Sequence, residues 1–225
     1  MEITSICFFD IKLLEPVTVF TNIIISFFCL YFYFKLNVNS SNLKFEKYWR
    51  LFFLYFSFSS MIGAVAHGFK GYFNESVFNL VWLSMNLSSI LITHYLLLSN
   101  LEIVSTSDKN KGILKTAIGF ISILFVGIIF LTNNFLSVKI NAFISILFTI
   151  YVHIVIYRKG ESGSGFILFG FTFSLLSVLV HSIKFSISSW FNYKDISHVI
   201  MNISLYIIFI GVSQRLSSNQ LETSA

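Results

Sequence analysis

Long apolar segments alternate with short polar ones along the whole chain. Each apolar segment holds about 20 residues, the length that an α-helix needs to cross the hydrocarbon core of a bilayer. The polar connections are short and include NVNSSNLKFEK, STSDKNKG and RKGESGSG. The pattern predicts an all-α bundle of seven transmembrane helices forming one domain over residues 1–225. The predicted helices cover residues 16–36, 48–69, 77–99, 113–132, 139–157, 165–187 and 195–215, and a short polar tail follows at 216–225.

Composition agrees with a multi-pass membrane protein. Hydrophobic residues make up 56% of the chain and charged residues 11%, whereas a soluble domain usually contains about 25% charged residues. The net charge of +5 does not indicate nucleic acid, because the basic residues lie in short connections where they set membrane topology. Cys7 and Cys29 are too few for a disulfide framework or a cysteine metal site. The N-terminus lacks the features of a cleaved signal peptide, so we expect the first helix to insert uncleaved.

The distribution of basic residues predicts the orientation of the chain. Ten lie on the side that follows helices 1, 3, 5 and 7, and five lie on the other side. The ten are Lys35, Lys44, Lys47, Arg50, Lys109, Lys111, Lys115, Arg158, Lys159 and Arg215; the five are Lys12, Lys70, Lys139, Lys184 and Lys194. By the positive-inside rule we expect an external N-terminus and a cytoplasmic C-terminus.

Two parts of the chain resemble each other. GAVAHGFK at 63–70 aligns with SVLVHSIK at 177–184, and MNLS at 85–88 aligns with MNIS at 201–204. Helices 1–3 would then correspond to helices 5–7 in a 3+1+3 arrangement. Four helices separate equivalent points, so the repeats would share one orientation and be related by an axis along the membrane normal. The alternative is chance similarity between helices rich in Phe, Ile and Ser.

Three histidines and several polar residues fall on the predicted outer side of these helices. His67, His181 and His198 are expected at similar depth, and Lys70 and Lys184 each follow a histidine by three residues, which places the pair on one helix face. Asp195 is either an acceptor that holds the ring of His198 or the N-cap of helix 7. The candidate pocket residues are His67, Lys70, Trp82, Asn86, His181, Lys184, Asp195, His198 and Asn202.

These residues have two readings. They either form an outward-facing pocket between helices 2, 3, 6 and 7, or they only join the helices through hydrogen bonds. On both readings Asn86 and Asn202 face the bundle, because an amide in lipid would be unsatisfied. His94 and His153, near the other side, are expected to be interfacial or structural.

The block entering helix 7 resembles a motif of bacterial seven-helix membrane proteins of unknown function. That family carries HGF in helix 2, here His67-Gly68-Phe69, and FNHND-x-x-HVIQ entering helix 7, here residues 191–201. This chain departs from the second motif at Tyr193, Lys194 and Met201. The resemblance implies an integral protein of the bacterial inner membrane.

The chain is more distantly similar to the alkaline ceramidase and adiponectin-receptor superfamily of seven-helix zinc hydrolases. His67 and His198 fit two of its three zinc histidines, but Lys194 and Asn202 stand where the third would be. Gly63 replaces the expected serine of helix 2, and helix 3 offers no aspartate. A catalytic zinc needs three protein ligands. If zinc is bound, His181 is the remaining candidate beside His67 and His198. Retinal is not expected, because helix 7 has no lysine between Asp195 and Arg215 for a Schiff base.

Three functions remain open on this sequence. The first is a membrane sensor or carrier that binds a small molecule or lipid in an outward-facing pocket and needs no cofactor. The second is a zinc-dependent hydrolase of a lipid amide, and the third is a structural or accessory protein. The expected partner is the lipid bilayer rather than nucleic acid, and the sequence indicates no particular oligomeric state.

Overall fold

A computed structural model of the chain describes residues 4–36, 43–104 and 106–224. In these ranges seven α-helices are each long and apolar enough to cross a membrane, which confirms the predicted all-α fold. The helices are α1 Pro16–Lys35, α2 Leu43–Gly68, α3 Glu75–Ile103, α4 Asp108–Thr132, α5 Phe135–Arg158, α6 Ser164–Ile183 and α7 Tyr193–Ser224; a short 3-10 turn covers Lys70–Tyr72.

Most helix ends differ from the predicted ones by one to five residues, as where α4 begins at Asp108 rather than at residue 113, and the ends of α6 and α7 differ for identifiable reasons. α6 ends at Ile183 rather than at residue 187, because Lys184 adopts a left-handed conformation with φ 53° that breaks the helix. α7 continues to Ser224, so the tail predicted at 216–225 is helical over its described part, and Ala225 lies outside the described residues. The segment after Arg215 contains no Gly or Pro that would end a helix, and Leu216 packs into the core with 1% of its surface exposed.

An antiparallel β-hairpin precedes α1, and the hydrophobic pattern did not predict it. Its strands are β1 Ser5–Phe8 and β2 Ile11–Leu14, paired with Ser5 opposite Leu14 and Phe8 opposite Ile11. Two residues, Phe9 and Asp10, connect the strands, and Phe9 takes a positive φ of 52°. The hairpin packs on the end of α2, and the Lys12 backbone N–H donates to the Tyr72 hydroxyl at 2.6 Å.

Six helices form the body of the bundle, and α4 lies at its side. α2 packs between α1 and α3, α6 packs between α5 and α7, and the two groups meet where α1 contacts α7 and α3 contacts α5. Aromatic side chains fill much of the core, with Phe32, Trp49, Phe52 and Phe53 each 2% exposed or less. α4 contacts α3 and α5 and buries Ile129.

We call the end of the bundle that carries the β-hairpin the hairpin end. α1, α3, α5 and α7 begin there, and α2, α4 and α6 end there. The helix neighbours have the order that a parallel repeat of helices 1–3 and 5–7 would produce, since exchanging the two groups maps the α1–α7 contact onto the α5–α3 contact. The repeat itself stays a prediction.

Small residues allow α6 and α7 to approach closely. A Cβ placed on Gly170 would lie 2.6 Å from the Ile208 side chain and 3.1 Å from the Ser204 carbonyl oxygen. A Cβ placed on Gly211 would lie 2.7 Å from the Gly163 carbonyl oxygen and 2.8 Å from the Ile167 backbone nitrogen. Such contacts are typical of transmembrane helices, where association depends on close packing.

We predict that Gly211→Ala lowers the stability of the bundle, by about 1–3 kcal/mol, because the new methyl group meets backbone atoms that cannot move independently. Thermal unfolding of the detergent-solubilised protein measures the change. Gly119→Ala is the matched control, since a Cβ at Gly119 in α4 meets nothing within 4 Å. Equal unfolding midpoints for the two variants would contradict the close α6–α7 packing.

Candidate functional site

Glu15 occupies the junction between the hairpin and α1. Its backbone is left-handed, with φ 43° and ψ 54°, a conformation that residues other than glycine seldom adopt. The Glu15 backbone N–H donates to the Thr4 carbonyl at 2.9 Å, and Pro16 begins α1 immediately afterwards. The hairpin therefore holds the Glu15 carboxylate over the hairpin end of the bundle.

The Glu15 carboxylate joins the end of α2 to the start of α7. Its Oε2 accepts from His67 Nδ1 at 2.5 Å, and its Oε1 accepts from Lys194 Nζ at 2.5 Å. Burial raises the pKa of Glu15, but the hydrogen bonds and charges of His67 and Lys194 together outweigh burial and lower that pKa to about 2. We call Glu15, His67 and Lys194 the charge bridge.

Asp195 forms a second connection at the same end. It is fully buried, accepting from the Thr18 hydroxyl of α1 at 2.6 Å and from the Asn192 backbone N–H at 2.8 Å. Asn192, which precedes α7, accepts from the Lys194 backbone N–H at 2.9 Å. Asn192 and Asp195 thus cap α7 reciprocally, in the manner of a capping box. The prediction that Asp195 itself is the N-cap is wrong, and so is the alternative that it holds His198.

His198 is held by α1 instead. Its Nδ1 lies 3.0 Å from the Thr21 hydroxyl, one turn along α1 from Thr18. His181 of α6 lies edge-on to the Tyr193 ring, with centroids 5.0 Å apart. The buried Nδ1 of His181 has no hydrogen-bond partner among the described residues.

Two cavities lie at this end of the bundle. The hairpin-end cavity has a volume of about 310 Å³ and is lined by Leu14, Glu15, Ala66, His67, Lys70, Phe78, Trp82 and Lys194. The central cavity has a volume of about 260 Å³ and lies among six of the seven helices, all but α4. Its polar lining comprises Asn22, Ser59, Ser60, Ser89, Lys139, Ser177, His181, Ser197 and His198.

The predicted site residues divide between these cavities and their surroundings. His67, Lys70 and Trp82 line the hairpin-end cavity, and His181 and His198 line the central one. Asn86 is fully buried with both amide atoms unpartnered in the described structure, and the Asn202 amide donates to the His198 carbonyl at 3.1 Å. Neither asparagine is among the residues that line these two cavities, nor is Asp195.

The two lysines do not share a helix face with their histidines as predicted. α2 ends at Gly68, so Lys70 lies in the following 3-10 turn, although it still lines the same cavity as His67. Lys184 follows the break at the end of α6, is exposed and lines neither cavity. The predicted shared face assumed that each helix continues through the lysine. Both helices end before it, so the prediction is wrong.

Sequence reasoning missed Glu15, Thr18, Thr21 and Lys139, and it treated Lys194 only as a departure from a motif. A signal for Glu15 was present, since it directly precedes the first span on the side where the three histidines were placed. Its pairing with His67 joins positions 52 residues apart, and its pairing with Lys194 joins positions 179 apart. Local patterns do not report contacts of that range.

The three histidines do not form the zinc site considered above. In the described part of the chain, no three His, Cys, Asp or Glu side chains are grouped so that they could hold a metal ion. His67 directs Nδ1 at Glu15, and His198 directs Nδ1 at Thr21. Of the other histidines, His94 contacts the Ser122 hydroxyl of α4 at 2.9 Å, and His153 is fully buried in α5.

Seven apolar helices with ionisable groups enclosed at one end define a multi-pass integral membrane protein. Residues 17–217 match the Family of unknown function (DUF6962), and the chain belongs to this family. Neither the curated proteins nor the solved structures give a match to the chain. The resemblance to a bacterial seven-helix family of unknown function agrees with this membership, whereas the comparisons give no support to a relationship with ceramidases or adiponectin receptors.

We predict that Glu15→Gln destabilises the protein at neutral pH. The change leaves Lys194 without its counter-charge and His67 without its carboxylate acceptor, and a hydrogen bond to a charged group contributes about 1.5–3 kcal/mol. Unfolding midpoints in detergent measure the effect. Glu75→Gln is the control, since Glu75 is exposed at the same end of the bundle; an equal change in both variants would show that the charge bridge adds no stability.

The difference in stability between wild type and Glu15→Gln should depend on pH. The pKa of Glu15 in the folded state, about 2, lies below its ordinary value of 4.5. Its stabilising contribution is therefore fully present above pH 4.5 and is lost as pH falls through 2. The difference in midpoint between wild type and Glu15→Gln should narrow as pH falls from about 4.5 towards 2. A difference that grows on acidification would contradict the assignment.

Proposed function

We propose that this protein binds a small molecule in the central cavity and acts as a membrane carrier or sensor. The observation that carries the proposal is a cavity bordered by six helices whose lining includes His181, His198 and Lys139. Ionisable side chains inside a transmembrane bundle are costly and commonly mark pathways for substrates or ions.

Hydrogen bonding between helices accounts for part of this lining. Ser177 and Ser197 bond reciprocally to each other's carbonyl oxygens at 3.0 and 3.1 Å, and the hydroxyls of Ser59 and Ser89 lie 2.9 Å apart. These serines join α6 to α7 and α2 to α3, as polar residues in membrane bundles often do.

His198 is joined to α1 through the Thr21 hydroxyl, but hydrogen bonding between helices does not explain His181. A histidine retained only to join helices would have hydrogen-bond partners for its buried ring nitrogens. His181 has a buried Nδ1 without a partner in the described residues, as His153 has at both ring nitrogens, but His181 differs from His153 in lining the same cavity as His198. This arrangement favours a ligand site over a purely structural role.

The charge bridge lies between the central cavity and the hairpin end. His67 follows the cavity-lining Gly63 by four residues on α2, and Lys194 precedes the cavity-lining His198 by four on α7. Four residues are about one helical turn, or 6 Å along the axis. We propose that the bridge holds α1, α2 and α7 together above the cavity and controls the opening through which a ligand enters.

We also propose that the hairpin end faces outwards in the bacterial inner membrane. Ten basic residues lie on the sides of the chain that follow α1, α3, α5 and α7, against five at the hairpin end, and the excess should stay in the cytoplasm. The central cavity would then open towards the exterior.

The orientation predicts that the C-terminus is cytoplasmic. A green fluorescent protein fused after the last residue should fluoresce, because it folds in the cytoplasm, and an alkaline phosphatase fused there should be inactive. The same two reporters fused before α1 should give the reverse result. Active phosphatase at the C-terminus would invert the orientation.

If solutes can enter the central cavity from outside, a cysteine placed in the cavity should react with a water-soluble thiol reagent. Ala142→Cys in a Cys7→Ser background puts a thiol in the central cavity, and the remaining Cys29 is fully buried. A small, membrane-impermeant methanethiosulfonate added from outside should modify this thiol.

Two further cysteine variants in the Cys7→Ser background provide a fast and an unreactive reference for the modification rate of Ala142→Cys. Ser182→Cys is exposed near the hairpin end and should react faster, and Ala64→Cys, at a position only 3% exposed, should not react. If the Ser182→Cys variant reacts and the Ala142→Cys variant is as inert as Ala64→Cys, the cavity is closed to solutes and the carrier or sensor proposal fails.

A further inference from the structure

We infer that the ligand of the central cavity is a small organic anion, a monocarboxylate with an apolar body, and that Lys139 is its counter-ion. This inference rests on the proposed function and adds the chemical class of the ligand. It depends on how charges and apolar side chains are arranged around the cavity.

Lys139 is the residue that makes the cavity cationic. It lies in the second turn of α5, is half-buried and lines the cavity together with His181. Its Nζ lies 5.9 Å from the Phe135 ring centroid, and in the described ranges it has no carboxylate partner. A lysine near the end of a lipid-facing helix extends its ammonium towards the head groups. Lys139, although near the start of α5, is among the residues that line the central cavity.

The acidic residues nearest to the cavity are already engaged. Glu15 is shared between His67 and Lys194, and Asp195 is fully buried with Thr18 and the Asn192 backbone as its donors. The cavity lining contains Lys139 and two histidines but, among the described residues, neither Asp nor Glu. A bound anion would supply the missing negative charge, because opposite charges attract more strongly beside protein than in bulk water.

The rest of the lining favours an apolar ligand body. Ile25, Phe56 and Ile92 come from the middle of α1, α2 and α3, deeper in the bundle than Lys139, which lies near the start of α5. A carboxylate at Lys139 would therefore project its remaining atoms towards an apolar floor. The volume of about 260 Å³ is slightly below the range of about 300–1,000 Å³ that drug-sized ligands occupy, so the ligand is small.

The negative charge and the apolar body of the ligand can be tested separately with three probes: hexanoate, hexanamide and inorganic phosphate. The purified full-length protein in lipid nanodiscs is titrated with each probe, and binding is measured by calorimetry and by the shift in unfolding midpoint. We expect hexanoate to bind and to stabilise the fold. Hexanamide, which has the same body without charge, and phosphate, which has charge without the body, should each bind at least about tenfold more weakly, since each loses either the charge-assisted hydrogen bond or the apolar contact.

Variants at Lys139 test the counter-ion. Lys139→Gln should weaken hexanoate binding about tenfold or more, and Lys139→Arg should retain most of it because the charge is kept. Lys184→Gln is the matched control, since it removes a lysine at the same end of the bundle that lines neither cavity. Wild-type affinity for hexanoate in Lys139→Gln, or equal affinity of the wild type for hexanamide, would overturn the inference and leave the cavity as a site for a neutral molecule. If phosphate bound and hexanoate did not, the inference that the ligand has an apolar body would be wrong.

The Ala142→Cys variant gives a readout that needs no ligand. Position 142 follows Lys139 by three residues and so lies on the same face of α5. An anionic methanethiosulfonate should modify the thiol there faster than a cationic one, and Lys139→Gln should remove that preference. A faster cationic reagent, or a reactive thiol at position 142 with no hexanoate binding, refutes the anion inference while the accessible cavity stands. An unreactive thiol at that position with no binding of any probe refutes both proposals.

Discussion

The charge bridge of Glu15 with His67 and Lys194 is the interaction on which the candidate site depends. One carboxylate accepts from the last turn of α2 and from the first turn of α7, while its own backbone begins α1. Three helices that border the central cavity are thereby held by a single residue. The left-handed backbone of Glu15 is unfavourable for a side-chain-bearing residue. The hairpin and the two hydrogen bonds from His67 and Lys194 maintain this conformation.

The remainder of the bundle is held by close packing and by hydrogen bonds between helices. Lipid provides no hydrophobic driving force between helices, so small residues and polar side chains have to supply specificity. Gly170 and Gly211 bring α6 against α7, and the Asn141 amide of α5 donates to the Thr93 hydroxyl of α3 at 2.6 Å. These contacts position α5, α6 and α7, and with them Lys139, His181 and His198, around one cavity.

The central cavity is charged towards the hairpin end and apolar at its deeper end. This difference is the basis for inferring the chemical class of the ligand. The charged side chains around the cavity lie towards the hairpin end, where Glu15 and Asp195 already have their donors and Lys139 has no carboxylate partner in the described structure. Apolar side chains close the deeper end. A site built in this way selects for charge and for shape separately, so changes to either part should alter affinity independently of folding.

The sequence by itself determined the class of the protein and the number of helices. Hydrophobicity over about 20 residues is a local property, and the bilayer converts it directly into spanning helices. The tertiary structure decided which ionisable groups meet. Helix rotation and helix ends decide that Lys139 lines a cavity and that Lys184 does not. Contacts between distant positions decide that Glu15 reaches Lys194. Those are properties of the packed bundle, and no local pattern encodes them.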